Sequence, residues 1–313
     1  MNKLIGLIDE DWESRGKMTF PNLSLMKLAA WHRQHGDTVR WYPEIMGTFD
    51  QVYCSRVFSE EYTRPYSLPI NAHEVVRGGS GYAITVTDGQ EHYDKTKDPP
   101  LPPEIDHMYP AYDLYGIEDT AYGFLTKGCP RGCPFCHVAG IQGTRVTEFA
   151  PLSEFWHGQK EIKLLDPNLT ASLKYEEHMT DLARSGAWVD FTQGLDARML
   201  NEARIEALNG VKFRHIHFAW DNPKDPLEVK FRLISKHLKR FAKERVSCYV
   251  LTNYNSTFEE DLYRVETLKS LRIQPYVMIY RKHTAPENVR RLQRYANNAF
   301  ITWKIKSFEE YKR

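Results

Sequence analysis

Short apolar runs alternate with longer amphipathic segments along the first third of the chain. The run KLIGLID (3–9) ends in polar residues, as a buried parallel strand does. The segment NLSLMKLAAWHRQHG follows with apolar residues at helical spacing, and Gly36 is a typical C-terminal stop. Strand-like runs TVRWY and FDQVYCS come next, followed by EVVRGGSGYA. Alternation of this kind predicts a small Rossmann-like, doubly wound α/β domain over residues 1–95.

The next stretch, residues 96–120, lacks this periodicity. The surrounding segment KTKDPPLPPEIDHMYPAYDLYGIE carries five prolines and no regular apolar spacing. Proline removes backbone donors and fixes the backbone angle φ, which disfavours both helix and central strand. We expect a proline-rich linker between two domains.

From residue 121 the alternation restarts on a larger scale. Six strand-like runs are separated mostly by helix-like segments such as YEEHMTDLARSG and FEEDLYRVETLKSLR. The runs are YGFLTKG (122–128), EIKLLDPN (161–168), WVDFTQG (188–194), RHIHFAWDN (214–222), VSCYVLTNYN (246–255) and PYVMIYRK (275–282). Six β/α units are fewer than a complete barrel needs, so the pattern predicts an open, partial (β/α)6 TIM-like barrel with a C-terminal extension over residues 121–313.

Polar side chains follow five of these six runs. They are Asp166 and Asn168, Gln193 and Asp196, Asp221 and Asn222, Asn253 and Asn255, and Tyr280 and Arg281. Asn and Asp also form turns, which explains any one of these positions. Because the carboxyl ends of parallel strands meet at one edge, all five together predict a shared ligand pocket there.

Composition and charge narrow the class of protein. The 313 residues include 42 Lys plus Arg against 41 Asp plus Glu, so net charge gives no reason to expect attraction to polyanions. A basic face in KFRLISKHLKRFAKER keeps a nucleic-acid substrate open, although a solvated outer helix explains it better. No apolar run is long enough to cross a bilayer, and we expect a cytoplasmic protein without membrane contact.

Three of the five cysteines lie within eight positions, at Cys129, Cys133 and Cys136. An odd total makes a disulfide framework a poor interpretation. Structural zinc usually takes a fourth ligand from a second pair, which is not evident downstream, and a redox pair would leave Cys129 unexplained. Three thiolates on a loop shaped by glycine and proline suit a 4Fe–4S cluster with one open iron.

This motif resembles that of the radical S-adenosylmethionine (radical SAM) enzymes. Their signature places Cys-x₃-Cys-x₂-Cys in the loop after the first strand of a partial six-unit barrel, often with an aromatic residue before the last cysteine, here Phe135. The resemblance implies a 4Fe–4S cluster on Cys129, Cys133 and Cys136. It also implies reductive cleavage of S-adenosylmethionine (SAM) to a 5′-deoxyadenosyl radical that abstracts hydrogen from a substrate. A reductant such as flavodoxin or ferredoxin would supply the electron.

The resemblance also assigns SAM-binding roles to the polar strand ends. Asp166 and Asn168 stand where the family often has Gly-Gly-Glu for the SAM amino group, and Arg198 could pair with the SAM carboxylate. A surface arginine at a helix start is the alternative for Arg198. The expected SAM-binding set is Asp166, Asn168, Gln193, Asp196, Arg198, Asp221, Asn222 and Asn253, with Phe135 beside the cluster.

Residues 1–95 resemble the cobalamin-binding-type domain that precedes the barrel in one radical SAM subgroup. That domain commonly carries Asp-x-His-x-x-Gly after its first strand, whereas this chain has DEDWESRG without histidine. We therefore expect a vestigial domain and no cobalamin, with a cobalamin-dependent methyltransferase as one alternative. A non-catalytic iron–sulfur protein is the other. The residues do not decide whether the substrate is a nucleic acid or nucleotide, a peptide, or a small metabolite, and no catalytic residue is assigned.

Overall fold

The computed structural model describes residues 2–16, 20–43, 47–67, 69–87, 90–239 and 246–312. The chain divides into two compact units, and between residues 121 and 158 it passes from one unit to the other five times. The first unit comprises Met1–Ala121, Arg131–Thr144 and Ser153–His157, and the second comprises Tyr122–Pro130, Arg145–Leu152 and Gly158–Arg313. No helix within the described ranges is both long and apolar enough to cross a membrane.

The first unit is built on a four-stranded parallel sheet. Its strands are β1 (Leu4–Asp9), β2 (Thr38–Trp41), β3 (Phe49–Ser55) and β4 (Ala72–Gly78), with a small antiparallel pair β5 (Ile84–Thr87) and β6 (Gln90–Tyr93). Its helices are α1 (Glu10–Arg15), α2 (Leu23–Gln34), α3 (Ser80–Ala83), α4 (Pro103–Asp106) and α5 (Val138–Gln142). The parallel order is β2-β1-β3-β4, which is the start of a flavodoxin-like doubly wound sheet.

Strand β1 is buried on both faces. Ile5 and Leu7 pack on one face with residues of α2, and Ile8 packs on the other with Phe49 and Val52 of β3. Burial on both sides explains why β1 is an unbroken apolar run. The proline-rich segment adds to this core, because Ile105 of α4 belongs to the cluster around α2.

The second unit is built on a six-stranded sheet. Its strands are β7 (Thr120–Gly123), β10 (Glu161–Leu164), β11 (Trp188–Leu195), β12 (Phe213–Ala219), β13 (Val246–Thr252) and β14 (Gln274–Ile279), with a separate antiparallel pair β8 (Thr126–Lys127) and β9 (Thr147–Glu148). Its helices are α6 (Tyr175–Ser185), α7 (Glu202–Asn209), α8 (Glu228–His237), α9 (Phe258–Ser270), α10 (Glu287–Asn297) and α11 (Ala299–Lys304).

Spatial order in this sheet follows chain order from β7 through β14, and the four pairs from β10 to β14 are parallel. Helices α6, α7, α8 and α9 connect successive strands. The prediction of an α/β protein with parallel sheets is therefore confirmed. The end of the predicted helix KFRLISKHLKRFAKER lies outside the described residues.

The first predicted strand of this unit, YGFLTKG, is divided in two. Strand β7 ends at Gly123, and Thr126 begins β8, which pairs with β9. The cause is the Asp166 carboxylate, which accepts the backbone N–H groups of Leu125 and Thr126. Those donors are then lost to the ladder between β7 and β10, so the strand leaves the sheet.

Candidate functional site

The cysteine loop lies between β8 and α5. Gly128 and Gly132 have φ of 92° and 57°, the left-handed region that favours glycine. The Cys136 N–H donates to the Cys133 carbonyl at 3.0 Å, which closes a turn between these two cysteines. Cys129 and Cys133 are half-buried, Cys136 is exposed, and none of the three forms a disulfide with a described residue.

The boundary between the two units falls inside this loop. Residues 122–130 belong to the second unit and residues 131–144 to the first. Among the residues that the structure describes, no three His, Cys, Asp or Glu side chains are arranged to hold a metal ion. The thiols supply the right donor chemistry for iron, and ligand loops commonly take their final form when the metal binds.

Asp166 lies at the carboxyl end of β10 and is 4% exposed. Its carboxylate accepts from Leu125 N–H at 3.2 Å, Thr126 N–H at 2.5 Å and the Thr126 hydroxyl at 2.7 Å. Burial raises the pKa of Asp166 to about 7, against the effect of these three donors. The geometry gives Asp166 a positioning role for the strand that leads into the cysteine loop.

Asn168 contacts the cysteine loop directly. Its Nδ2 lies 3.6 Å from Cys129 Sγ and 3.4 Å from Asp196 Oδ2, while its Oδ1 accepts from the Thr170 hydroxyl at 2.9 Å. Thr170 Oγ1 in turn accepts from Asp196 N–H at 2.8 Å. These bonds join the ends of β10 and β11 beside a cysteine sulfur, and they bring the two predicted residues Asn168 and Asp196 together.

Arg198 follows the same strand end. Its Nη1 donates to Asp196 Oδ1 at 2.9 Å, and its Nη2 donates to Asp225 Oδ2. Asp225 follows β12 and was not among the predicted residues. The guanidinium group therefore binds two carboxylates of the protein. The sequence had suggested either a partner for the SAM carboxylate or a surface arginine.

Asp221 lies at the end of β12, and burial raises its pKa against the positive charges of Arg264 and Arg198. Arg264 is 0% exposed and donates to the backbone carbonyls of Trp220, Asp221 and Leu251 and to the Asp261 carboxylate. It thereby ties the ends of β12 and β13 together. Sequence reasoning missed this residue because it lies on α9, where arginine is ordinarily a surface residue.

The remaining predicted residues are less closely engaged with the cysteine loop. Gln193 is exposed, and Phe135 is half-buried. Asn222 accepts the backbone N–H two residues on, which is the turn chemistry considered as its alternative. Asn253 has φ of 59° and donates to the Tyr280 carbonyl at 2.8 Å, so it links the ends of β13 and β14.

In the first unit, the carboxyl ends of β1 and β3 flank a buried polar cluster. The Tyr82 hydroxyl donates to Glu10, and the Arg56 guanidinium lies 4.3 Å from the centroid of the Tyr82 ring. A Cβ on Gly79 would lie 2.4 Å from the Arg56 carbonyl oxygen, and one on Gly81 would lie 2.2 Å from the Phe58 carbonyl oxygen. Glu10, Arg56 and Tyr82 therefore pack together where the carboxyl ends of β1 and β3 meet, which is where a doubly wound sheet binds ligands.

The loop after β1, where a cobalt-ligating histidine would be expected, is the helix α1. Asp9 caps it by accepting from Trp12 N–H at 3.2 Å, and Asp9 also accepts from the Tyr115 hydroxyl at 2.7 Å. Trp41 packs edge-on against both Trp12 and Tyr115. The residues of this segment therefore do not fit a corrinoid that takes a nitrogen ligand from the loop after β1.

These two parallel α/β units, with a three-cysteine loop after the first strand of the larger one, have the fold that the resemblance to radical SAM enzymes with a cobalamin-binding-type domain predicts. The prediction is confirmed at the level of the fold.

A comparison with solved structures found a protein of similar fold. The chain is similar to the radical S-adenosylmethionine methyltransferase TsrM from Kitasatospora setae, solved with cobalamin and a [4Fe-4S] cluster bound, with a TM-score of 0.59. The alignment covers 89% of this chain and 75% of that one, at 10% sequence identity. Neither models of known protein families nor curated protein sequences gave a match.

Proposed function

We propose that the protein is a radical SAM enzyme. Cys129, Cys133 and Cys136 would hold a 4Fe–4S cluster, and SAM would bind beside it. When bound, such a cluster supplies the electron that cleaves SAM to methionine and a 5′-deoxyadenosyl radical, which abstracts hydrogen from the substrate. The observation that carries the proposal is the Cys-x₃-Cys-x₂-Cys loop, which follows the short strand β8 soon after β7, the first strand of a six-stranded sheet in consecutive order.

The second unit would be a partial (β/α)6 barrel. Six strands in consecutive order, with helices as crossovers, support this architecture. We propose residues 121–313 as the barrel with its C-terminal extension, 1–95 as the cobalamin-binding-like domain and 96–120 as the connection between them.

The residues that would bind SAM are those at the carboxyl ends of β10 to β13. Asn168 and Asp196 lie nearest to Cys129 and supply an amide and a carboxylate, groups that can orient the methionyl part of SAM. Arg198 would hold Asp196 and Asp225 in place. Asp166 would act indirectly, through the backbone before the cysteine loop. We propose that Gln193, Asp221 and Asn253 complete the rim and that flavodoxin or ferredoxin is the reductant.

Anaerobic reconstitution tests this function. The protein with iron and sulfide, dithionite and SAM should release 5′-deoxyadenosine, measured by chromatography. Replacement of Cys129, Cys133 or Cys136 by Ala should abolish both the cluster absorbance and the product, whereas Cys54→Ala, which changes a buried core thiol, should keep both. A reconstituted cluster that never cleaves SAM would instead support the non-catalytic iron–sulfur protein.

A cobalamin-dependent methyltransferase is the second candidate. It is favoured by the structural similarity to TsrM, which was solved with cobalamin bound. The packing of Glu10, Arg56 and Tyr82 against one another at the carboxyl ends of β1 and β3 supports the opposite proposal, that the first unit no longer binds a corrinoid. Titration with hydroxocobalamin tests this, since stoichiometric binding followed by its absorbance would overturn the proposal that the first unit binds no corrinoid.

A further inference from the structure

The hairpin formed by β5 and β6 contacts the segment that leaves the cysteine loop. His137, which directly follows Cys136, is bonded through its Nε2 to Glu91 Oε2 at 3.0 Å. Tyr93 packs against α5, since a Cβ on Gly140 would lie 3.0 Å from Cδ1 of the Tyr93 ring. Glu91 and Tyr93 are two residues apart on β6, so their side chains lie on the same face of the hairpin. One face of this hairpin therefore meets the segment at two places.

The carboxylate of Glu91 is engaged at both of its oxygens. The Ser59 hydroxyl donates to Glu91 Oε1 at 3.1 Å, and Ser59 is 1% exposed. Exposed ion pairs contribute little, in part because two long side chains must be ordered to form them. Here the buried hydroxyl already orders the carboxylate, and the side chains of His137 and Glu91 are only 25% and 35% exposed. We name Ser59, Glu91 and His137 the exit clamp.

Helix α1 supports the exit clamp through the loop after β3. The Asp11 carboxylate accepts the Val57 N–H at 2.7 Å and the Thr63 hydroxyl at 2.5 Å. The Thr63 N–H in turn donates to the Ser59 carbonyl at 3.0 Å. Asp11 thus fixes the loop on both sides of Ser59. A continuous series of hydrogen bonds joins α1, which occupies the loop position after β1, to the residue that follows the last cysteine of the motif.

We infer that Glu91 is a positioning residue for the cysteine loop, and that the first unit holds the part of the loop that carries Cys133 and Cys136. Residues 131–144 belong to this unit, as do all members of the exit clamp. The inference deepens the proposed function and rests on it in one respect: the thiols held in this way would be cluster ligands. It gives the first unit a function that needs no corrinoid.

Hydrogen–deuterium exchange of the full-length protein without iron tests the exit clamp by itself. The N–H groups of Gly140 and Ile141 donate to the His137 carbonyl at 3.0 and 2.9 Å. Glu91→Ala should raise the exchange rate of peptides covering residues 137–143 about fivefold, as expected for the loss of one hydrogen bond. The control Glu61→Ala, at an exposed carboxylate of the loop after β3, should leave that rate unchanged.

The reconstituted protein tests the link to the proposed cluster. The iron–sulfur absorbance of Glu91→Ala should be lost to a chelator about fivefold faster than that of wild type or Glu61→Ala. The electron paramagnetic resonance spectrum of the reduced cluster should also differ from that of wild type. The double variant Glu91→Ala, His137→Ala should lose its cluster no faster than His137→Ala alone, because both changes break the same bond.

The outcomes are separable. Unchanged exchange, or an unchanged rate of cluster loss, in a folded Glu91→Ala protein would overturn the inference. If that variant does not fold by circular dichroism, Ser59→Ala, which removes only the donor behind the carboxylate, takes its place in both measurements with the same expected direction. A cluster that shows these differences but never cleaves SAM would reject the proposed function and leave the inference standing. A wild-type protein that assembles no cluster would overturn both.

Discussion

The Asp166 carboxylate holds Thr126 at two points. It accepts the backbone N–H at 2.5 Å and the side-chain hydroxyl at 2.7 Å. Asp166 follows β10, and Thr126 lies three residues before Cys129. Because both residues are buried, little water competes for these bonds. The end of one strand thus fixes the backbone that enters the cysteine loop.

Thr126→Val tests this relationship, because it removes the hydroxyl and keeps the shape. We expect a loss of about 1 kcal/mol in the free energy of unfolding, and about 3 kcal/mol for Asp166→Asn, whose amide would face an N–H donor. Urea unfolding measures both. The double variant should lose less than the sum, since the two changes break a shared bond. The control Thr180→Val, where the hydroxyl bonds only within α6, should stay within about 0.5 kcal/mol. Additive losses would show that the two residues are not coupled.

Asp166 also predicts a pH dependence. Burial raises its pKa to about 7 from an ordinary 3.8. Between these values the folded protein holds a proton that the unfolded chain has lost, so the free energy of unfolding falls as pH rises and levels off above about pH 7. The contribution is at most about 4 kcal/mol. Asp166→Asn lacks this titrating group. We therefore expect the free energy of unfolding of wild type, relative to that of Asp166→Asn, to fall as pH rises when both are measured by urea unfolding between about pH 5 and pH 8. A difference independent of pH would show that the carboxylate stays ionised.

Much of the fold follows from the sequence because parallel strands are buried on both faces or on alternate residues. The run at β1 corresponds to a single strand for that reason, and the segment of α2 corresponds to a single helix because its apolar residues recur at helical spacing. The run YGFLTKG does not, because Asp166, about 40 residues away, takes the donors of Leu125 and Thr126. No local pattern contains such a contact.

The site was predictable to a similar extent. Polar residues at strand ends indicated Asn168 and Asp196, which the structure brings together at Cys129. The residues that hold the strand ends in place were not predictable from the strand-end pattern, because Asp225 lies in the loop after β12 and Arg264 lies on α9. Asn222 was also indicated by the strand-end pattern, and its side-chain oxygen accepts a hydrogen bond within its own turn.

The glycines of RGGSG give a test of packing in the first unit. Gly81→Ala would place a Cβ 2.2 Å from the Phe58 carbonyl oxygen, whereas nothing lies within 4 Å of a Cβ on Gly78. Because backbone must move to relieve such a clash, we expect Gly81→Ala to lose about 3 kcal/mol or more in thermal or urea unfolding. Gly78→Ala, the matched control, should change stability by less than about 1 kcal/mol. Equal effects would contradict the close packing described for this segment.

Asn168 should tune the proposed cluster. Its Nδ2 lies 3.6 Å from Cys129 Sγ, and an N–H donor to a cluster sulfur stabilises the reduced, more negative state. Asn168→Ala should therefore make the reduction potential more negative, by about 40 mV if the bond contributes about 1 kcal/mol. Redox titration followed by electron paramagnetic resonance measures the shift. Asn222→Ala, which removes a turn amide, should leave the potential unchanged, and a shift shared by both variants would argue against the Asn168 contact.

Arg264 should be among the largest single contributors to stability in the second unit. It and Asp261 are 0% and 1% exposed, and its guanidinium also binds the carbonyls at the ends of β12 and β13. Arg264→Met leaves a buried carboxylate and these carbonyls unpaired, so we expect a loss of about 3–5 kcal/mol in urea unfolding. Adding Asp261→Leu should recover part of it, because the orphaned charge is then removed.

The exposed pair of Arg232 with Glu228 supplies the control for Arg264. Its side chains are 61% and 31% exposed, so Arg232→Met should cost less than about 1 kcal/mol. Because Arg264 holds the backbone at Asp221, Arg264→Lys, which cannot reproduce the fork, should also weaken SAM binding relative to Arg232→Met. A folded Arg264→Met protein with wild-type stability and SAM affinity would contradict the role of Arg264 as the tie between these strand ends.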